Sequence, residues 1–120
     1  YRIRMRFFSI LLFLPSLALG GDWTKTDTAW QAGYTALLVM DCAQTRGFIG
    51  NPKYYESNPI VGPHPSKGRV DNICLATGLA HFGVSYMLPP DLRRIWQISG
   101  IAVEVYAVRH NYQMGIRMEF

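Results

Sequence analysis

The sequence predicts an all-α fold, a small helical membrane bundle of about three transmembrane helices after an N-terminal signal peptide. Two observations lead to this prediction. Apolar segments over residues 28–46, 70–88 and 92–112 each approach the ~20 residues that a helix needs to cross a bilayer. A shorter apolar stretch at the N-terminus follows several arginines, as in export signals. A chain of 120 residues is long enough for one domain. We predict that this domain covers residues 21–120.

The composition is that of a chain with apolar segments that also contain polar residues. Apolar residues make up 49% and charged residues 17% of the chain, but the mean hydropathy is only +0.04. The net charge of +4 comes from basic residues beside the apolar segments, which suits anionic lipid headgroups. A nucleic-acid site would need a basic face with interleaved aromatic residues. We therefore expect membrane lipid, and no nucleic acid, as a partner; a protein partner or a second copy of the chain stays open.

The N-terminal residues have the pattern of an export signal. Three arginines precede an apolar stretch that ends in small residues, Ala18-Leu19-Gly20, as signal peptidase requires. We predict a signal peptide over residues 1–20, with residues 1–4 as a remnant upstream of a start at Met5. The alternative is an uncleaved anchor helix, which would be short for a span of ~20 residues. In both cases the following chain would emerge outside the inner membrane.

Turn and capping residues set the limits of the three predicted helices. The first, at 28–46, follows the turn-forming TKTD and has a candidate capping box, Thr28-x-x-Gln31. The second, at 70–88, is stopped by Pro89-Pro90. The third, at 92–112, starts after these prolines and Asp91.

Basic residues predict the orientation of the bundle. With the mature N-terminus outside, the connector at 47–69 and the C-terminus lie in the cytoplasm. The basic residues on that side are Arg46, Lys53, Lys67, Arg69, Arg109 and Arg117, and those on the outer side are Lys25, Arg93 and Arg94. This bias agrees with the positive-inside rule.

Small and polar residues recur at spacings of three and four in each predicted helix. The stripes are Asp27, Gln31, Tyr34, Leu38, Asp41 and Thr45 in the first helix, Asp71, Cys74, Gly78, His81 and Ser85 in the second, and Arg93, Gln97, Gly100, Glu104, Ala107 and Asn111 in the third. Helices show such stripes when they turn polar and small residues toward each other and apolar residues toward lipid. We expect Gly78 and Gly100 to let two backbones approach closely.

Candidate site residues lie on or beside these stripes. The predicted polar cluster within the spans consists of Asp41, Gln44, Thr45, Cys74, His81, Glu104 and Asn111. A charged group in lipid costs ~2.5–3.5 kcal/mol on insertion scales, so such groups are paired or functional. We expect hydrogen bonds between helices, from Asp41 to Gln97 or Asn111 and from Glu104 to Arg109 or Thr45.

Two chemical alternatives stay open for this cluster. Asp41, Glu104 and His81 have the groups for a proton site or a divalent metal site. A nucleophile–base pair of Cys74 and His81 is disfavoured, because seven residues along one helix separate them by about 10 Å. No HExxH, GxSxG, Walker or GxGxxG pattern occurs. The sequence therefore leaves open whether the chain is an enzyme, which residues would be catalytic and whether it has a cofactor.

The connector holds a second candidate motif, Glu56, Asn58, Pro59 and His64. Its prolines fix φ and block helix continuation. Two interpretations stay open: Glu56 and Asn58 cap a helix end or pair with Arg46 or Arg69, or the connector is only a stiff loop.

The two cysteines are expected to act as small apolar side chains. Cys42 and Cys74 have neither CxxC spacing nor a disulfide-framework pattern. Both lie in apolar segments, where a cysteine usually packs as a small hydrophobic residue. Whether the two meet stays open.

Several short motifs stand out in the mature chain: Asp41-x-x-Gln44-Thr45, Glu56-x-Asn58-Pro59-x-x-Gly62 with His64-Pro65-Ser66, the single Glu104 of the last span, and the ending GIRMEF. Through these motifs the chain resembles an uncharacterised group of small multi-span helical membrane proteins of bacteria and phages. The resemblance implies a multi-span helical fold over the mature chain and supplies no activity.

Three functional hypotheses follow. The first is a non-enzymatic inner-membrane protein of accessory or interaction type, whose polar helix faces pack against each other or a partner. The second is a membrane-embedded enzyme, or a proton or metal site, built on Asp41, Glu104 and His81. The third is an exported water-soluble domain that buries the same segments around its own core.

Overall fold

The computed structural model describes residues 22–120 and is helical, without strands, over that range. Its helices are α1 (Lys25–Phe48), α2 (Lys67–Met87) and α3 (Pro90–Gln113). The all-α prediction is confirmed, and each helix begins and ends within three residues of its predicted limits. None of the three has a stretch that is both long enough and apolar enough to cross a membrane. The predicted signal peptide at 1–20 lies outside the described residues.

Side-chain caps explain where the first two helices begin. The Thr24 hydroxyl accepts a hydrogen bond from the Asp27 amide (3.1 Å), and the Asp27 carboxylate accepts one from the Thr24 amide (3.0 Å). This reciprocal capping box starts α1 ahead of the predicted Thr28, so the expected Thr28–Gln31 box is wrong. Ser66 caps α2 by accepting from the Arg69 amide (3.1 Å). The third helix starts with Pro90, whose fixed φ suits a first helical position.

The three helices form an up-down-up bundle. The starts of α1 and α3 meet at Asp27 and Arg93, and their later turns meet at Asp41 and Asn111, so these two helices run in the same direction. Their interface is the most extensive in the bundle, and the α2–α3 interface is the smallest. A disulfide between Cys42 and Cys74 joins α1 to α2, so the expectation that the cysteines act as small apolar residues is wrong.

Among residues 22–120, nine polar or charged side chains are buried beside seven apolar ones, and many large apolar side chains are exposed. Its least exposed large side chains are Arg93, Gln97, Val70 and Ser85. The buried polar or charged residues are Asp27, Gln31, Gln44, Thr45, His81, Ser85, Arg93, Gln97 and Glu104. The large apolar side chains exposed on the helices include Val39, Leu75, Leu79, Phe82, Ile95, Ile98, Val103 and Val105. The predicted inward-facing stripes are confirmed for most of their members, with Asp71 as an exposed exception.

The connector and the C-terminal tail close the bundle at the end opposite Arg93. The Glu56 amide donates to the Pro63 carbonyl (3.0 Å), and the loop turns at Gly62, whose φ is +88°. In the tail, Ile116 is buried and the Glu119 amide donates to the Ala43 carbonyl in α1 (2.8 Å). The tail therefore packs on the last turns of α1.

Candidate functional site

The candidate site is the set of buried polar residues between the helices, which we call the polar interior: Asp27, Gln31, Gln44, Thr45, His81, Ser85, Arg93, Gln97 and Glu104, with the half-buried Asp41 and Asn111. At the end of the polar interior where α1 and α3 begin, Arg93 contacts all three helices. Its guanidinium donates to Asp27 (2.8 Å) in α1 and to the carbonyls of Ser85 (2.7 Å) and Tyr86 (3.4 Å) in α2. It also lies over the Trp23 ring, at 5.1 Å from the centroid. Arg93 thus neutralises one buried carboxylate and satisfies carbonyls at the end of α2.

Asp27 is held in its charged form by several donors. Burial by itself raises the pKa of the Asp27 carboxyl, but hydrogen bonds from Thr24, Arg93 and Arg94 outweigh it and hold this pKa below its usual value. Gln97 adds a further link between the helices, because its amide nitrogen donates to the Asp27 carbonyl (3.1 Å). This end of the polar interior is therefore a neutralised, structural ion pair.

The middle of the polar interior is organised around His81. Its ring lies between those of Tyr34 (centroids 3.5 Å apart) and Trp96 (5.1 Å). Its Nδ1 is 3.0 Å from Gln31 Oε1, which also accepts from the Ser85 hydroxyl (3.1 Å). The imidazole is fixed on both faces and along one edge, which suits a packing role.

Gly100 lets α3 approach this stack, as its place on the stripe predicts. A Cβ at this position would lie 2.6 Å from His81 Nε2 and 3.0 Å from the Tyr34 ring. Gly78 is less critical, since a Cβ there would meet only the Leu38 side chain at 3.4 Å.

Gly100→Ala is expected to lower the free energy of unfolding by about 1–3 kcal/mol, because the added methyl group would overlap both stacked rings and force them to shift. The matched control is Gly83→Ala in α2, where an added Cβ meets nothing within 4 Å. The control should be neutral or slightly stabilising, because alanine has a higher helix propensity than glycine. Thermal unfolding followed by circular dichroism measures both, and equal midpoints for the two variants would contradict the close packing.

Near the connector, amide side chains link α1 and α3. The Asn111 amide donates to Asp41 (2.9 Å) and to the Gln44 side chain (3.2 Å), and Gln44 donates to the Val108 carbonyl (3.1 Å). The expected Asp41–Asn111 hydrogen bond is confirmed. The expected bonds from Glu104 to Arg109 or Thr45 are wrong, because Glu104 Oε2 is buried without a hydrogen-bond partner among the described residues.

The connector motif is only partly joined to this cluster. Glu56 accepts from the Thr45 hydroxyl (3.4 Å) and from the Asn58 amide (2.9 Å). The Asn58 side chain accepts from the Ile60 amide (3.0 Å), which forms a local turn at Pro59. His64 is exposed and lies apart from the polar interior.

The expected arginine partners of Glu56 bind elsewhere. Arg46 pairs with Asp71, and Arg69 donates to the carbonyls of Ile60 and Val61 (2.8 and 2.7 Å). Pairing of Glu56 with either arginine is therefore wrong.

Two of the chemical alternatives do not fit the geometry. No three His, Cys, Asp or Glu side chains among residues 22–120 are grouped closely enough to hold a metal ion, so Asp41, Glu104 and His81 are not a ligand set. Cys74 is bonded to Cys42 and has no free thiol to act as a nucleophile.

Arg93, Asp27 and Gln31 belong to the polar interior but not to the predicted polar cluster. All three lie on the predicted stripes, at intervals of four within α1 for Asp27 and Gln31. This helical spacing is the sequence feature that could have identified them as buried residues. A pairing of Asp27 with Arg93 becomes predictable once α1 and α3 are known to run in parallel from the same end.

Comparison with known proteins adds no relative: no family model, no curated protein and no solved structure matches the chain.

Proposed function

We propose that the chain is a small multi-pass helical protein of the inner membrane, of non-enzymatic accessory or interaction type. Its polar helix faces pack against each other, and its apolar faces contact lipid. The inverted burial supports this proposal, since Arg93 and Gln97 are 0% exposed while Leu79 and Val103 are 63% and 64% exposed. Apolar surface left in water costs about 25 cal/mol per Å², so a lipid environment stabilises this arrangement.

The modest hydropathy of the helices is compatible with this proposal. Several charged and amide side chains that lower it, among them Gln31, Arg93 and Glu104, lie between the helices. The outward faces at Leu75, Leu79 and Val103 remain apolar. Polar groups inside and apolar groups outside are the arrangement expected of helices packed in lipid.

Two sequence features add to the proposal. The export signal predicted at 1–20 would carry the chain to the membrane. The resemblance to small multi-span membrane proteins, through Asp41, Gln44 and Thr45 and the Glu56 motif, points to the same class.

Membrane extraction tests the location. The full chain should remain in the membrane pellet after carbonate washing, and Leu79→Lys should reduce that fraction, because a lipid-facing lysine costs ~2.5–3.5 kcal/mol on insertion scales. Asn72→Lys is the matched control, at an exposed polar position near the start of the same helix, and should stay in the pellet. Release of the unaltered chain by carbonate, or equal retention of both variants, would overturn the proposal.

The orientation is tested separately. The basic residues predict a cytoplasmic connector and C-terminus, whereas the Cys42–Cys74 disulfide, which lies nearer the connector end of α1, favours an oxidising compartment there. Ser57→Cys in a Cys42→Ser/Cys74→Ser background reports the side, because Ser57 is exposed on the connector. An impermeant maleimide should label it only after lysis if the connector is cytoplasmic, and in spheroplasts if it is external.

A further inference from the structure

A cavity of about 280 Å³ lies between α1, α2, α3 and the connector, and three carboxyl groups line it. They come from three separate segments: Asp41 from α1, Glu56 from the connector and Glu104 from α3. Asn111 contributes an amide, and Val103 and Ala107 contribute apolar walls. The exposed Ser57 and Asn58 lie at the connector side, which gives the cavity access from outside the bundle.

Within residues 22–120, no basic side chain forms an ion pair with any of the three carboxyl groups. The basic side chains of the flanking segments are engaged elsewhere: Arg46 with Asp71, Lys67 with Glu119, and Arg69 with two backbone carbonyls. His110 also lines the cavity, and its ring stacks on that of Tyr106. Asp41 accepts one hydrogen bond from Asn111, and Glu56 accepts from Thr45 and Asn58. Glu104 is only 8% exposed, and its Oε2 has no hydrogen-bond partner in the described part of the chain.

A buried carboxylate without a partner is costly, and neighbouring carboxylates make its ionisation costlier still. A bound cation removes both costs. A metal ion would need several of these groups as direct ligands, and they are not grouped closely enough for that. An ammonium ion needs a hydrogen bond to only one of them, and the other two can act through their charge. The apolar walls at Val103 and Ala107 favour a frame of carbon atoms over a hydrated ion.

We propose that this cavity binds a small aliphatic ammonium ion, whose nitrogen donates to the Glu104 carboxyl group and whose alkyl part lies against Val103 and Ala107. Asp41 and Glu56 supply further negative charge around the nitrogen. The volume is near the lower end of ordinary small-molecule pockets, about 300–1,000 Å³, so the site suits a short amine. This site does not depend on the membrane location of the chain.

Propylammonium chloride is the probe, added to the purified full-length protein while the thermal unfolding midpoint is followed. The midpoint should rise with propylammonium more than with equal concentrations of sodium chloride, which controls for ionic strength, or of propanol, which controls for the alkyl chain. Glu104→Gln should weaken the apparent affinity at least about tenfold, because a charge-assisted hydrogen bond is lost. Glu119→Gln is the matched control, since Glu119 is an exposed carboxylate that pairs with Lys67 away from the cavity, and it should keep the response.

Glu56→Gln provides a second variant if Glu104→Gln does not fold, because Glu56 lies on the connector rather than in a helix. It should also weaken the response. The proposal is overturned if propylammonium gives no more than the salt and propanol controls, if calcium chloride gives the larger rise, or if the foldable cavity variants respond like the unaltered protein.

Discussion

Replacing Arg93 with methionine is expected to lower the free energy of unfolding by about 3–5 kcal/mol, the usual effect of removing one partner of a buried ion pair. Arg93 is fully buried, and its guanidinium lies 2.8 Å from an Asp27 carboxylate that is itself almost inaccessible. Methionine fills similar space but leaves that carboxylate with less compensation. It also removes the donors to the Ser85 and Tyr86 carbonyls at the end of α2. Denaturation of the purified protein, followed by circular dichroism, measures the loss.

The matched control for this change is Arg94→Gln. Arg94 also faces Asp27, at 3.3 Å, but its side chain is 37% exposed. Pairs of that kind contribute about 0–1 kcal/mol, so the control should be nearly neutral. The double variant Asp27→Asn/Arg93→Met should be more stable than the sum of its single changes predicts, because the uncompensated charge is gone. Equal losses for Arg93→Met and Arg94→Gln would show that the buried pair does not hold the helix starts together.

Helical periodicity is sufficient to predict the inward faces of the bundle. Residues three and four apart lie on one side of a helix, so the stripe through Asp27, Gln31, Tyr34 and Leu38 identifies the buried side of α1, as the structure confirms. The same pattern identifies Arg93, Gln97 and Glu104 in α3. Proline at Pro89 and Pro90 likewise limits α2 and α3 to within two residues, because it cannot continue a helix.

Partner choice inside the bundle is less predictable than burial. The expected Glu104–Arg109 bond fails because residues five apart lie on different sides of a helix, and Arg109 is exposed. Thr45 bonds to Glu56 instead of Glu104, because the connector folds back over the end of α1. Such contacts depend on the path of a loop, which periodicity does not report. The cavity with Asp41, Glu56 and Glu104 depends on the same path, so it too could not be predicted from the helices alone.

The disulfide could not be predicted from the sequence for a similar reason. Cys42 and Cys74 are 32 residues apart in the chain, and they meet only because α1 and α2 lie side by side with a Cα–Cα distance of 6.3 Å. Spacing alone cannot indicate such a pair, since the long connector separates them. Because the cytoplasm keeps most thiols reduced, the disulfide agrees with export of the chain but not with a cytoplasmic connector end.

Removing this disulfide is expected to lower the free energy of unfolding by about 3–4 kcal/mol. The disulfide links residues that are 32 apart in the sequence and so restricts the unfolded chain. Without it the unfolded chain gains conformational entropy. The variant Cys42→Ser/Cys74→Ser and reduction of the unaltered protein should lower the unfolding midpoint by similar amounts, since these are its two cysteines. The reductant should have no effect on the double variant, which makes that variant the control for non-specific effects. Protein isolated from cells should take up no maleimide until it is reduced. Labelling without reduction, or an unfolding midpoint that reductant leaves unchanged, would contradict the link between α1 and α2.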